Sequence, residues 1–469
     1  LGDVYKRQFL NDVNWLDNLK LRVSYGEVGN DGINSSLWSQ NWESTSDKRY
    51  QGAVNGAFLP SYSLGADMAN KDLKWETTIT RNIGVDFGFF NSRLTGTIDA
   101  YWNTTKDLLM KTAIPGITGF TSTYANVGQT SNKGIEIALQ GVLVKTRDWN
   151  VTAGFNINFN RGKVDKLADN VTGLYGTEWA TSSTFPKSDY VLKEGRPVGL
   201  VRGLTADGFY TTDDFTYENG VYTLKKGVAD VSSAVFPNYH LHNGINERPA
   251  GQLAYPGMAK FKDLNDDGII NDDDVDVIGD MTPVHTGGFN INATYKNFDL
   301  GLYFNWSYGN EIYNVNKLAA LYGYKEGAVY ENKLSIVKDC YKIYDVVNGE
   351  LVALTTPEQL NAANANAKLP LAYSENGYVS TLGIEDGSYL RLNTLTLGYT
   401  LPKSILQKAG ISNLRVYGSI YNVFTITGYS GIDAEVSTST STKTYPQLGM
   451  DWGTYPRARS FVLGVNLSF

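Results

Sequence analysis

The chain closes on Arg457-Ala458-Arg459-Ser460-Phe461-Val462-Leu463-Gly464-Val465-Asn466-Leu467-Ser468-Phe469. Phe461, Leu463, Val465, Leu467 and Phe469 take every second position, with Ser460, Val462, Gly464, Asn466 and Ser468 between them. A period of two sends successive side chains to opposite faces of a strand. One face is therefore wholly apolar, and the other is small or polar. The run is about the 9–11 residues needed to cross a bilayer as a tilted strand. A strand of a soluble sandwich would alternate in the same way, so the number of repeats decides its meaning.

The pattern recurs at residues 18–26, 82–89, 93–102, 134–144, 149–160, 288–295, 298–308, 389–401 and 413–424. The cleanest copy sets Trp149, Val151, Ala153, Phe155, Ile157 and Phe159 against Asn150, Thr152, Gly154, Asn156, Asn158 and Asn160. In the 389–401 copy the apolar phase slips near Asn393-Thr394, which predicts a β-bulge. Phe90-Asn91-Ser92 and Lys296-Asn297 read as tight turns, and residues 404–408 as one helical turn.

The connections alternate in length. Short ones follow the second, fourth, sixth and eighth strands. Long ones cover 27–78, 103–133, 161–287, 309–388 and the stretch from 425. The fold class this predicts is all-β: an antiparallel transmembrane β-barrel with short turns at one end and long loops at the other. Parity puts the C-terminus at the short-turn, periplasmic end. A large soluble antiparallel sheet is the competing reading, but such sheets rarely keep this parity through ten strands.

Composition is consistent with the barrel. Aromatic residues make up 13% of the 469 positions, a high share for a soluble enzyme. No run of ~18 apolar residues is present, so no membrane-spanning helix is expected, and that leaves a strand barrel open. A net charge of -7 argues against a nucleic-acid partner. The single Cys340 excludes an intrachain disulfide framework. Residues 1–8 (LGDVYKRQ) read as a non-native start, and residues 9–469 as part of a longer barrel domain.

Several motifs carry a family resemblance. They are Trp15-Leu16-Asp17-Asn18-Leu19-Lys20-Leu21-Arg22 with Ser24-Tyr25-Gly26, and Asp72-Leu73-Lys74-Trp75-Glu76-Thr77. Asp386-Gly387-Ser388-Tyr389-Leu390-Arg391-Leu392 with Leu397-Gly398-Tyr399, and the Phe-terminated last strand, complete the set. Together they resemble the SusC/RagA class of TonB-dependent outer-membrane transporters. The resemblance implies a 22-stranded barrel, of which ten strands are seen, filled by an N-terminal plug that this sequence lacks. It implies residence in outer-membrane lipid, a SusD-like surface lipoprotein that lids the barrel, and energy from TonB through the missing N-terminal part. The implied cargo is a glycan, with oligopeptide as the alternative. An adhesin or structural barrel is a reading from a different class.

One local motif points to a metal. Residues 263–274 place Asp263, Asn265, Asp267, the Ile269 carbonyl, Asn271 and Asp274 at the ligand spacing of a Ca²⁺ loop, with Gly268 at the turn. The twelfth position holds Asp where Glu is usual, and an Asp/Asn turn without metal is the bland reading. His240 and His242 form an H-x-H pair with no third ligand nearby, too few for a transition metal. No nucleophile–base set, metalloprotease motif or phosphate loop appears, so catalysis is not expected. Among the loop aromatics, Trp38, Trp42, Trp179, Tyr190 and Trp452 have two readings. They form a ligand surface, or they pack the loops on themselves. Trp102, Trp149, Trp306 and Tyr308, near strand ends, are expected in interfacial girdles.

Overall fold

The computed structural model describes residues 13–469 except 33–36, 41, 46–51, 60, 66, 169–170, 237–247, 322–332, 373–376, 407–409 and 439–446. Residues 1–8, His240 and His242 lie outside the described residues.

Ten long strands form one curved wall: β1 (Leu16–Asn30), β2 (Glu76–Phe89), β3 (Leu94–Ala113), β4 (Ser122–Lys145), β5 (Trp149–Lys166), β6 (His285–Tyr295), β7 (Phe298–Tyr308), β8 (Tyr389–Thr400), β9 (Asn413–Thr427) and β10 (Ser460–Ser468). They pair antiparallel in strict chain order, each with the next. These are the ten alternating stretches of the sequence. The expected bulge is present: Asn393 is left out of the register between β7 and β8, where Tyr303 faces Thr394 and Phe304 faces Leu392. A second shift lies opposite on β9. The turn from β2 to β3 uses Phe90, Asn91 and Ser92, all at positive φ. The single helical turn runs Lys403–Leu406.

One expectation needs correcting. Residues 103–133 are not a long loop. β3 and β4 continue as a paired hairpin to Ala113 and Ser122, closed by a 3₁₀ turn at Gly116–Thr118. The register breaks near Asp107, which has a positive φ of 58°. The bulge interrupts the period of two, and beyond the bilayer no lipid demands an apolar face. The hairpin therefore escapes a pattern search.

The other long connections build a second body. The described parts of 161–287 and 309–388 fold into small sheets, including a four-stranded one made of Leu174–Gly176, Tyr190–Leu192, Leu200–Leu204 and Val275–Asp280. The helices Val315–Leu321 and Pro357–Ala363 pack with them. The main buried cluster, with Leu204, Tyr210, Tyr222, Ile270, Tyr313, Leu318, Leu360 and Val379, sits here. None of the cluster's described buried residues comes from the ten wall strands.

Candidate functional site

The wall has two chemically distinct faces. On β1, Leu21, Val23 and Tyr25 are 68%, 70% and 66% exposed; on β10, Leu463 is 89% exposed. Exposed apolar rows of this length need a non-aqueous solvent. Aromatic residues mark both edges of the band. Trp149 packs on Tyr295 and Phe298 on Tyr399 beside the short turns. His285 stacks on Tyr308, and Trp306 Nε1 donates to His285 Nδ1 (3.1 Å), at the far end. Phe298 and Tyr308 are ten positions apart on one strand. At about 3.3 Å per residue and a tilt of about 40°, that spans about 25 Å, the height of a lipid-facing band. Trp149, Trp306 and Tyr308 thus take girdle positions. Trp102, eight positions after Leu94 as Trp306 is eight after Phe298, stands at a matching depth, although β3 runs on to Ala113.

The opposite face is polar and tied by ion pairs that the sequence reading missed. Arg22 of β1 reaches Asp86 of β2 (Nε, 3.0 Å) and Asp99 of β3 (Nη2, 2.8 Å). The guanidinium crosses Gly84, where a Cβ would come within 2.4 Å of Asp99 Oδ1. Arg415 of β9 pairs with Asp299 of β7 through Nε (2.9 Å) and Nη2 across Gly398. For Arg22 the available signal was opposite charges in register with a glycine between them; Arg415 reaches Asp299 diagonally, from the position paired with Thr400. Tyr101 donates to Asn160 (3.0 Å), one of the inward Asn residues of β5.

At the long-loop rim, Arg391 is 2% exposed. Its Nε donates to Thr425 (2.9 Å), Nη1 to Glu435 (2.9 Å) and Nη2 to Asp433. Arg457 backs the same carboxylates, at 2.9 Å from Glu435 and 3.7 Å from Asp433. This cluster fastens the last connection to β8.

The predicted aromatic surface divides. Trp38, Trp42 and Trp452 are exposed at 57%, 67% and 48%. Tyr190 is a correction. It is buried, its hydroxyl donates to the Leu448 carbonyl (2.8 Å), and its ring meets Tyr313 edge-on. Trp179 also packs against Tyr313, and its backbone N–H donates to Asp189 (2.8 Å). Both belong to the loop core, since burying an aromatic face outweighs leaving it free.

The acidic loop is folded by its own side chains. Asp263 Oδ2 accepts from Gly268 N–H (2.7 Å), Asn265 Oδ1 from Asp267 N–H (3.1 Å) and Asp267 Oδ1 from Ile269 N–H (2.8 Å). Asp266 and Gly268 take positive φ values of 59° and 86°, which curl the backbone around these oxygens. Asp274 is fully buried and accepts from Leu264 N–H (2.7 Å) and Asn271 N–H (2.8 Å), closing the loop. An all-oxygen donor set suits a hard cation. Among the described residues, no three His, Cys, Asp or Glu side chains gather as a metal shell. A cation here therefore relies on the Asn265 amide and the Ile269 carbonyl beside the carboxylates.

Residues 8–423 match the family model "TonB dependent receptor-like, beta-barrel". The chain belongs to this TonB-dependent receptor β-barrel family. It is 30% identical over 469 residues to TonB-dependent receptor P3 of Formosa agariphila, covering 99% of this chain and 40% of that protein. It is 28% identical over 475 residues to TonB-dependent receptor SusC of Bacteroides thetaiotaomicron, covering 99% and 39%. The structure of the RagAB peptide transporter matches with a TM-score of 0.68 at 25% identity, covering 99% of this chain and 42% of that one. The chain spans about two fifths of these relatives' lengths. The SusC/RagA resemblance of the motifs holds in both comparisons. The family consists of transport proteins, and the charged and aromatic residues of the barrel are accordingly walls and fastenings rather than catalytic groups.

Proposed function

We propose that this chain is the barrel portion of a TonB-dependent importer of the outer membrane, working with a SusD-like surface lipoprotein. Its C-terminus and short turns face the periplasm. The observation that carries the reading is the division of labour in the fold. A band about 25 Å tall meets lipid, a polar face meets the lumen, and a packed loop body stands over one end. TonB acts through the part of the protein N-terminal to this chain. The lid and the loops trap cargo, and the inward Asn and Thr residues of β5 pass it on through weak hydrogen bonds. The β3–β4 hairpin offers an apolar tip to the lid, with Ile117 97% exposed.

The cargo is an oligosaccharide. Exposed Trp38, Trp42 and Trp452 supply faces on which sugar rings stack. Oligopeptide is the second reading, favoured by the match to the RagAB peptide transporter. The test is growth of a deletion strain on single polysaccharides and on peptides, with capture of the intact protein from outer membranes. Loss of growth on one glycan and a stoichiometric lipoprotein support the reading. Loss on peptides alone selects the second. Unchanged growth with lost surface adhesion sinks import.

We further propose that residues 263–274 hold Ca²⁺, through Asp263, Asn265, Asp267, Ile269 carbonyl, Asn271 and Asp274, stiffening the loop body. Calcium should raise the melting temperature of the intact protein, and D263N/D267N should abolish that rise. A calcium-independent melt refutes the site.

A further inference from the structure

A cavity of about 490 Å³ opens in the loop body beside the four-stranded sheet. Its lining includes Ser183, Ser188 and Ser233 and the charged side chains of Lys187, Arg202 and Asp272. Two cations against one anion leave the lining net positive by one.

Arg202 is the best-held of these. It follows a register shift after Val201 in the pairing with Val275–Asp280, and such a shift re-aims a side chain. Its backbone N–H donates to Asp189 O (2.9 Å). The Asp189 carboxylate in turn accepts the N–H groups of Glu178, Trp179 and Ala180. The guanidinium lies over the Tyr175 ring at 4.8 Å, and Nη1 donates to Ser188 Oγ (2.8 Å). Those are its side-chain partners among the described residues, and none of them is a carboxylate within ion-pair distance. Burial disfavours its charge, and the field of Tyr175 and Asp272 acts the other way. Four of its five N–H donors remain for a ligand. A planar fork that is pre-set, half-buried and not ion-paired suits a carboxylate taken two-pronged. The hydroxyls around it suit the hydroxyls of a sugar ring.

We propose that this cavity binds a uronic-acid unit of the cargo, its carboxylate forked by Arg202 and its ring set against the serine hydroxyls. The proposal rests on the oligosaccharide reading. Lys187 adds long-range attraction, and Asp272 rejects a second acidic unit at the same spot.

The test is calorimetry on the intact protein with oligogalacturonate and with its carboxyl-reduced, neutral counterpart, for wild type, R202Q and R202K. R202Q should weaken the acidic ligand by about 10- to 100-fold, the value of a charged hydrogen-bond pair, and leave the neutral one unchanged. R202K, which keeps the charge without the fork, should fall between them. If R202Q is unstable by thermal melting, R202K decides: wild-type affinity there overturns the assignment. Equal binding of the acidic ligand by wild type and R202Q overturns the site and leaves the oligosaccharide reading standing. A wild type that binds neither sugar but takes peptides overturns both.

Discussion

Leu463 is 89% exposed on β10, and replacing it by arginine separates a lipid-facing wall from a water-facing one. It lies six positions before Phe469. That is about 20 Å along the strand, or about 15 Å of depth at a tilt of about 40°. In a band about 25 Å tall this is close to the middle, where arginine costs about 2–4 kcal/mol. Leu467, two positions from the end, lies about 5 Å deep by the same arithmetic, where the cost falls to about 0–1 kcal/mol. Leu351, 69% exposed on a loop hairpin, is the control, and arginine there should stay within about 0.5 kcal/mol. The assay is urea unfolding of the full-length protein in lipid vesicles, followed by tryptophan fluorescence, for L463R, L467R and L351R. The expected order of loss is Leu463, then Leu467, then Leu351. If L463R is as silent as L351R, the outward face meets water and the barrel reading fails.

Arg391→Met should loosen the last connection. It leaves Asp433, 8% exposed, with Arg457 at 3.7 Å. Breaking a buried pair costs about 3–5 kcal/mol, and the surviving Arg457 sets this case near about 3 kcal/mol. Hydrogen exchange should speed up around Asp433 and Met450, and unchanged protection would count against the cluster. Cys340 is buried, and burial pushes its thiol up to about 11. A maleimide at pH 8 should leave it untouched in the native protein and label it on denaturation, and rapid native labelling would contradict its packing. Asp214 is pushed up by burial, but Lys260 at 2.8 Å and the Thr211 N–H outweigh this and hold it below its ordinary value. A depressed carboxylate stabilises above its unfolded pKa of about 3.9 and loses that contribution as pH falls through the folded value. Exchange protection of Phe215–Leu224 should therefore persist at pH 5 and drop below pH ~4. K260M should move the drop to higher pH, and an unmoved profile refutes the pair.

The wall was legible because each strand faces two solvents at once, and a period of two records both. Even the bulge at Asn393 left its mark, since a skipped residue flips the apolar phase. The β3–β4 extension was hidden because residues 103–113 and 122–133 meet similar surroundings on both faces. The acidic loop could be read because its contacts are local: Asp263 bonds Gly268, five positions on. The aromatics could not be sorted by composition. Tyr190 is fixed by Leu448, 258 positions away, while Trp452 stays half exposed, and only the fold distinguishes them. Arg202 had a faint signal, a lone cation in the apolar run Leu200-Val201-Arg202-Gly203-Leu204. What it faces depends on Tyr175 and Ser188, from separate parts of the 161–287 connection.

The placement of burial has a mechanical consequence. Among the described residues the wall contributes none to the main buried cluster, so its order rests on ladder hydrogen bonds, lumen ion pairs and its outward apolar face. The loop body is packed like a soluble core, with Leu204, Tyr222, Tyr313 and Leu360 at or below 1% exposure. Close-packed interiors do not deform gradually, so the loop body is suited to act as a unit on a wall held by other forces. It is fastened to the wall through the last connection, which the Arg391 cluster holds to β8 and the Glu311–Asn314 strand joins to the loop body. That strand pairs with both Ile384–Asp386 and Met450–Asp451. Substitutions at these fastenings should alter how loops and wall move together, whereas substitutions inside either part should alter only its stability. The import reading proposed above, in which cargo is held over a lumen and then released into it, calls for this separation.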